Sequence, residues 1–314
     1  MHRRLFCASL LAGVTPLAAQ APTRPFLERP IPGKPHQGKV LLVVQAHSDD
    51  VPLSAAGTVA KLIDEGYTGY LVRASNDDMG DAPGLGTPGT IGDHVLGNQR
   101  DNSKLAEVLG LKDHFDFNYN NHMMAGVSQN EIMARLIFLI RLLKVDTVVC
   151  WDPWAHDEEN PDHYMIARAM EAASWIAGRA HDFPEHLKAG LKPYAVRDKY
   201  YFARRPEITR VVDITNYVEK KVDANRANVA KGPAGTNGSR LKAELARKNL
   251  RLPLLDGDDV TADRNYIREF VLARNRELGK QYGMEYAEAF HYIGPGVGTN
   301  RVKDYIQRNA VPLR

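Results

Sequence analysis

Apolar strands alternate with amphipathic helices, and this alternation is the feature that most restricts how the chain folds. Residues 39–45 form a continuous apolar run of strand length, and residues 53–63 carry apolar side chains at helical spacing. A second strand is predicted over residues 70–74. The unit recurs at residues 132–143, an apolar helical stripe, and at residues 146–150, another buried strand. We therefore predict an α/β fold, with a Rossmann-like, doubly wound, mainly parallel sheet and helices on both faces.

The pattern weakens beyond residue 184. Residues 195–202 and 210–214 are predicted as further strands, and three helical stretches follow up to about Gln281. The composition, with 44% hydrophobic and 25% charged residues, is that of a folded globular protein. We predict one domain with a helical C-terminal extension.

The amino terminus has the layout of a secretory signal peptide, with two arginines before the apolar run of residues 5–19. Cleavage near Ala21 would make the protein secreted or periplasmic. The apolar run is shorter than the roughly 20 residues of a spanning helix, so we expect no integral membrane span. Cleavage removes Arg3 and Arg4 and leaves 39 of the 41 basic residues against 38 acidic ones. This balance gives no indication of a nucleic-acid partner.

Polar segments follow three of the predicted strands, where an open parallel sheet binds its ligands. His47 and Asp50 come directly after the first strand and can turn toward one point, as two ligands of a zinc site. His163 is the candidate for the third ligand. Asn160 can cap a helix that begins at Pro161, which places His163 in an exposed first turn. Three protein ligands leave one position open, as in catalytic zinc sites.

Asp49 lies beside Asp50, and two adjacent carboxylates in such a turn do not easily point the same way. One can bind a metal while its neighbour faces a water molecule as a general base. The alternative is that both aspartates only cap the helix that starts near Leu53. A short motif leaves both interpretations open.

Residues 44–50, Val-Gln-Ala-His-Ser-Asp-Asp, followed by residues 57–60, resemble the Ala-His-Pro-Asp-Asp signature of the PIG-L, or LmbE-like, deacetylase family. Residues 160–163, Asn-Pro-Asp-His, resemble its distal Pro-Asp-His motif, and residues 282–290 resemble its Tyr-Ala-Glu-x-Phe segment. The predicted organisation is then a signal peptide, an extended lead-in, a deacetylase domain and a C-terminal tail, over residues 1–21, 22–37, 38–292 and 293–314.

The resemblance implies that His47, Asp50 and His163 bind Zn²⁺ and that Asp49 is the catalytic base. Family members remove acetyl groups from N-acetylglucosamine units on lipids, thiols or antibiotics. The implied function is zinc-dependent removal of an acetyl group from an N-acetylated amino sugar or glycoconjugate, with release of acetate and a free amine. These ligands also accept other divalent ions such as Fe²⁺. The oligomeric state is not predicted.

The chain departs from the family at Asn160, where many members carry a histidine that stabilises the oxyanion. His156 is our candidate replacement, and a loop histidine without a role is the alternative. Four further residues are candidates around the site. Asp162 is a candidate carboxylate that orients a histidine, and Arg100 resembles an arginine that contacts substrate in the family. Asp77 and Asp78 are candidates for binding sugar hydroxyls. Each has an ordinary alternative. Asp162 can simply interact favourably with the dipole at the start of its helix, Arg100 can be a solvated arginine, and Asp77 and Asp78 can be turn-forming residues.

Two other classes of function remain open. One is a metal-dependent amidase that acts on a non-sugar amide, and the other is a catalytically silent carbohydrate-binding protein of the same fold. Asp49 argues against the silent protein, because sugar binding alone needs no base beside the metal. A serine hydrolase is disfavoured, since no Gly-x-Ser-x-Gly segment follows a predicted strand.

Overall fold

The computed structural model describes most of the chain, namely residues 24–79, 90–154, 157–202, 207–231, 235–294 and 301–312. The predicted signal peptide and the candidate His156 lie outside these residues. Within the described ranges, no helix combines the length and the apolar character that a bilayer crossing requires.

One sheet forms the centre of the protein. Its strands in the described part of the chain are β1 (Phe26–Glu28), β2 (Val40–Gln45), β3 (Thr68–Ser75), β4 (Asp113–Tyr119), β5 (Thr147–Trp151), β6 (Asp198–Phe202), β7 (Arg210–Asp213) and β8 (Ala287–Ile293). Their order across the sheet is β1-β7-β8-β6-β5-β2-β3-β4. Neighbouring strands are parallel, except that β8 runs antiparallel to both β6 and β7. The predicted α/β fold with a mainly parallel sheet is confirmed.

Helices surround the sheet. They are α1 (Asp50–Ser54), α2 (Ala56–Asp64), α3 (Ile91–Leu109), α4 (Gln129–Leu143), α5 (Pro161–Ile176), α6 (Pro184–Lys188), α7 (Val218–Arg226), α8 (Asn237–Arg247), α9 (Asp259–Tyr266), α10 (Ala273–Gln281) and α11 (Arg301–Asn309). One group is formed by α2, α3 and α7, which contact one another, and α4 packs on α5 in a second group. A π-helical turn, Ile267–Val271, joins α9 to α10.

The C-terminal region differs from the prediction of a helical extension. It contains α7 to α10 but also β8, which lies inside the sheet between β6 and β7. The predicted lead-in likewise contributes β1, which pairs with β7. Pattern analysis missed β4 and β8 because polar side chains interrupt both, as in the β4 sequence Asp-His-Phe-Asp-Phe-Asn-Tyr.

The position of β2 determines where a ligand can bind. Connections run from β2 outward to β3 and β4 on one side, and to β5 and β6 on the other. The strand order therefore reverses between β2 and β5. Open α/β sheets bind ligands in the crevice at such a reversal, beyond the carboxyl ends of the strands. The segments that follow β2 and β5 meet at this crevice.

Candidate metal and catalytic centre

The residues that follow β2 and β5 bring together His47, Asp50 and His163, whose ligand atoms all lie within 4.8 Å of one another. His47 Nδ1 is 3.0 Å from His163 Nε2. Asp50 Oδ1 is 3.2 Å from His163 Nε2 and 3.8 Å from His47 Nδ1. A tetrahedral zinc ion with bonds near 2 Å separates its ligand atoms by about 3.3 Å. The three side chains therefore fit such an ion.

A buried carboxylate fixes the orientation of His47. Asp162 has no exposed surface, and its Oδ2 lies 3.0 Å from His47 Nε2. With its proton held at Nε2, His47 presents the lone pair of Nδ1 to the cluster. Asp50 is oriented similarly, because its Oδ2 accepts the amide N–H groups of Ala46 and His47 at 2.8 and 2.9 Å. The other oxygen of Asp50, Oδ1, faces His47 and His163 and is available as a metal ligand.

Glu158 fixes the orientation of His163, as Asp162 does for His47. The sequence motifs did not predict this role of Glu158. Glu158 Oε1 lies 2.9 Å from His163 Nδ1, so Nε2 presents its lone pair to the cluster. The indole of Trp151, the last residue of β5, stacks on this imidazole with ring centres 4.0 Å apart. The available signal was a run of three acids at residues 157–159, directly before the helix that carries His163.

The charges in the cluster favour a cation. Burial alone lowers the pKa of His47, but hydrogen bonds to Asp162 and Asp50 outweigh burial and raise this pKa to about 10. Burial acts in the opposite sense on Asp50, whose pKa is nevertheless held well below its usual value by His163 and His47. Protons and a divalent ion compete for the same lone pairs in such a site.

Asp49 lies beside the cluster and lines the same cavity. It occupies the N-cap position of α1, yet its side chain makes no capping hydrogen bond. The structure therefore does not support the interpretation that Asp49 serves as a helix cap. Burial and the neighbouring Asp50 raise the pKa of Asp49, while Lys231 opposes this shift. A carboxyl group with a raised pKa is suited to accept a proton and return it.

The cavity next to the cluster has a volume of about 510 Å³. Its second wall comes from the C-terminal region: Val271 of the π-helical turn, Arg274 and Leu278 of α10, and Phe290 of β8. This volume is in the range of small-molecule sites, which are typically about 300–1,000 Å³. The region predicted as a helical extension thus forms part of the site.

Asp77 and Asp78 are held within the protein. Asp77 is fully buried, contacts Lys231 Nζ at 2.7 Å and Arg73 Nη1 at 3.3 Å, and accepts the Ser48 amide. Asp78 Oδ1 accepts the amide of residue 121 at 2.8 Å. Neither is among the described residues that line the cavity. The structure differs here from the prediction that both face sugar hydroxyls, because internal donors already hold them.

The other predicted residues have separate places. Asn160 lines the cavity, and its side-chain oxygen caps α5 by accepting the Asp162 amide at 3.0 Å. Arg100 is exposed on α3 and is not among the described residues around the cavity, so its substrate contact stays a prediction. Lys231, which pattern analysis missed, lines the cavity from a segment after α7. The role of His156 also stays a prediction.

Glu288 explains the segment that resembles Tyr-Ala-Glu-x-Phe. From β8 it accepts the amide N–H groups of Gly57 and Thr58 at 3.1 and 2.7 Å, in the first turn of α2. Lys221 of α7 lies 2.7 Å away, and both side chains of this ion pair are completely buried. Glu288 therefore ties the C-terminal strand to the helix that follows the metal motif.

Replacing Glu158 by glutamine should weaken metal binding about 10- to 100-fold, the usual effect of losing a carboxylate that orients a metal-binding histidine. The measurement is zinc affinity by competition with a chelator of known strength. Glu159→Gln removes the neighbouring exposed acid and serves as the matched control. Equal zinc affinities for the two variants would show that Glu158 does not orient His163.

A mainly parallel sheet with a His-Asp-His cluster that could hold a metal ion, and an acid that lines the same cavity, is an arrangement typical of α/β metal-dependent hydrolases. Residues 42–174 match the PIG-L family, described as GlcNAc-PI de-N-acetylase. The match spans less than half of the chain and includes His47, Asp50 and His163, so the chain is similar to the PIG-L family over the part that holds the candidate metal ligands.

Two relatives are similar to the chain in sequence. Diacetylchitobiose deacetylase of Thermococcus kodakarensis is 27% identical over 199 residues, which cover 62% of this chain and 71% of that protein. The 1D-myo-inositol 2-acetamido-2-deoxy-alpha-D-glucopyranoside deacetylase of Mycobacteroides abscessus is 26% identical over 290 residues, covering 78% of this chain and 95% of the relative. Both names describe removal of an acetyl group from a sugar.

Solved structures share the fold. N,N'-diacetylchitobiose deacetylase from Pyrococcus horikoshii gives a TM-score of 0.63 at 21% identity, over 82% of this chain and 84% of the other. The 4-carboxy-2-hydroxymuconate hydratase from Pseudomonas putida gives 0.61 at 22% identity, over 83% and 99%. The same fold thus carries a deacetylase and a hydratase, so function has to be argued from the site.

Proposed function

We propose that the protein is a zinc-dependent hydrolase that removes the acetyl group from an N-acetylated amino sugar or glycoconjugate. The observation that carries the proposal is the placement of Asp49 beside the His47, Asp50 and His163 cluster, at the edge of one cavity. The sugar part of the substrate is supported by the two relatives, which are named as deacetylases of chitobiose and of an acetamido-glucopyranoside.

His47, Asp50 and His163 would hold the zinc ion. When bound there, a zinc ion polarises a carbonyl group and lowers the pKa of water toward neutrality. The protein contributes preorganisation: Asp162 and Glu158 keep the two imidazole lone pairs aimed at one point.

Asp49 carries the proton through the reaction. It takes one proton from water as the water oxygen bonds to the carbonyl carbon and the C=O electron pair moves onto the carbonyl oxygen. When that pair re-forms the carbonyl, the C–N bond breaks, and Asp49 gives its proton to the leaving nitrogen. The products are the free amine and acetic acid, which ionises to acetate at neutral pH.

We propose in addition that the protein is exported to the periplasm or secreted. The proposal is supported by the arginine pair, the apolar run and the small residues within residues 1–21.

The proposed activity is tested by metal analysis coupled to acetate release from a panel of N-acetylated sugars. We expect about one zinc ion per chain, loss of acetate release after treatment with a chelator, and recovery on adding zinc. N-acetylated amino acids in the panel detect a non-sugar amidase. Full activity after complete metal removal, or no acetate from any sugar, would refute the proposal.

A further inference from the structure

A deacetylase needs a hydrogen-bond donor for the carbonyl oxygen that becomes negatively charged, and the histidine that serves this purpose in many similar proteins is absent from the corresponding position of this chain. Asn160 stands there, and its side-chain oxygen is already used to cap α5. Acyl-transfer sites typically place a preorganised donor at the oxygen that becomes negatively charged. Besides His47 and His163, two described histidines line the same cavity: His122, on the loop that follows β4, and His291 of β8. The His122 ring is in contact with that of His47.

The backbone of His122 has an unusual conformation. Its φ of 62° lies in the left-handed region, which only a few per cent of non-glycine residues adopt. Its amide donates to Asp162 Oδ2 at 2.7 Å, and the Met124 amide donates to Asp162 Oδ1 at 3.1 Å. The preceding amide, of Asn121, donates to Asp78 at 2.8 Å. Conformations of this kind persist where neighbouring contacts impose them, and they concentrate at active sites.

These contacts fix His122 relative to a metal-ligand candidate. The Asp162 oxygen that accepts the His122 amide also contacts His47 Nε2. The two imidazole rings meet edge to face, with centres 6.0 Å apart. His122 is exposed and lies outside the group of three ligand candidates. Its ring therefore stands beside the cluster without occupying a ligand position.

We propose that the His122 imidazole N–H donates a hydrogen bond to the acetamide oxygen as that oxygen becomes negatively charged. The proposal rests on the deacetylation proposed above. His122 keeps its proton throughout, because the proton removed from water travels through Asp49 to the leaving nitrogen. Its contribution is a hydrogen bond that strengthens in the transition state, so its loss lowers kcat more than it raises KM.

The test uses His122→Gly, since glycine adopts the left-handed conformation without strain. We expect kcat for a sugar that the wild type deacetylates to fall about 10²- to 10³-fold, the usual effect of removing one oxyanion donor. Zinc content and the melting temperature should stay at or above the wild-type values. Added imidazole should restore part of the turnover. Asn118→Gly, at another left-handed position on β4, is the matched backbone control and should keep full activity.

A binding measurement separates this role from a purely structural one. Glucosamine whose acetyl group is replaced by a methylphosphonyl group mimics the charged tetrahedral intermediate. His122→Gly should weaken its binding by a factor similar to the loss in kcat/KM, and should leave glucosamine binding unchanged.

Two results would overturn the assignment to His122. The first is turnover of His122→Gly within twofold of the wild type. The second is undiminished analogue affinity in that variant, together with a large loss in His156→Ala, which would place the donor at His156. A wild type that releases no acetate from any sugar would instead refute the proposed function, and this inference with it.

Discussion

Asp49→Asn is expected to lower acetate release about 10²- to 10⁴-fold while the protein keeps its zinc. Asparagine preserves the shape of the side chain but does not accept a proton from water. The metal should stay, because the ligand positions belong to His47, Asp50 and His163. Acetate release under saturating sugar and zinc content of the same sample are the two measurements.

The control for this variant is Asp157→Asn, which changes an exposed acid after the β5 segment and should keep full turnover. Loss of zinc from Asp49→Asn would show that Asp49 is a ligand. Normal turnover with zinc present would remove Asp49 from proton transfer. Either result would contradict the assignment of Asp49 as the base.

Lys221→Met is expected to destabilise the protein by about 3–5 kcal/mol, which corresponds to a fall in melting temperature of about 5–10 °C for a domain of this size. The ion pair of Lys221 with Glu288 has no solvent exposure on either side chain. Removing the ammonium group leaves a carboxylate buried against the first turn of α2. Denaturant unfolding measures the change in the free energy of unfolding.

Lys220→Met is the matched control, because Lys220 is exposed and precedes Lys221 in the same helix. The double variant Lys221→Met with Glu288→Gln should recover part of the lost stability, since a neutral amide needs no counter-ion. Equal stability of Lys221→Met and Lys220→Met would show that the buried pair contributes nothing measurable.

The alternation of strands and helices predicted the parallel core and the edge where the site lies. Apolar runs such as β2 and β5 are buried on both faces, so their sequence reflects their environment directly. His47 and His163 could be predicted as neighbours for the same reason, because both follow parallel strands at one edge. Local sequence determines these features.

The remaining parts of the site depend on contacts between distant residues. The wall formed by Phe290 could not be predicted, since β8 alternates small, polar and aromatic residues and joins the sheet far along the chain. The position of Lys231 is set by Asp77, 154 residues earlier. Glu158 lies close in sequence to His163, but acidic runs are common in solvated loops. The position of Glu158 in the sequence therefore did not distinguish it from a solvated loop acid.

The antiparallel strand β8 also constrains the order in which the protein can assemble. Between the described strands, β1 reaches the rest of the sheet only through β7 and then β8. Residue 28 and residue 293 must therefore both be available before the sheet is complete, so the chain from β1 through β8 has to leave the ribosome first. Sheets closed by such long-range pairings fold slowly. Until β8 is synthesised and pairs with β6, β6 presents an unpaired edge, and an unpaired edge makes an unfinished chain prone to aggregation.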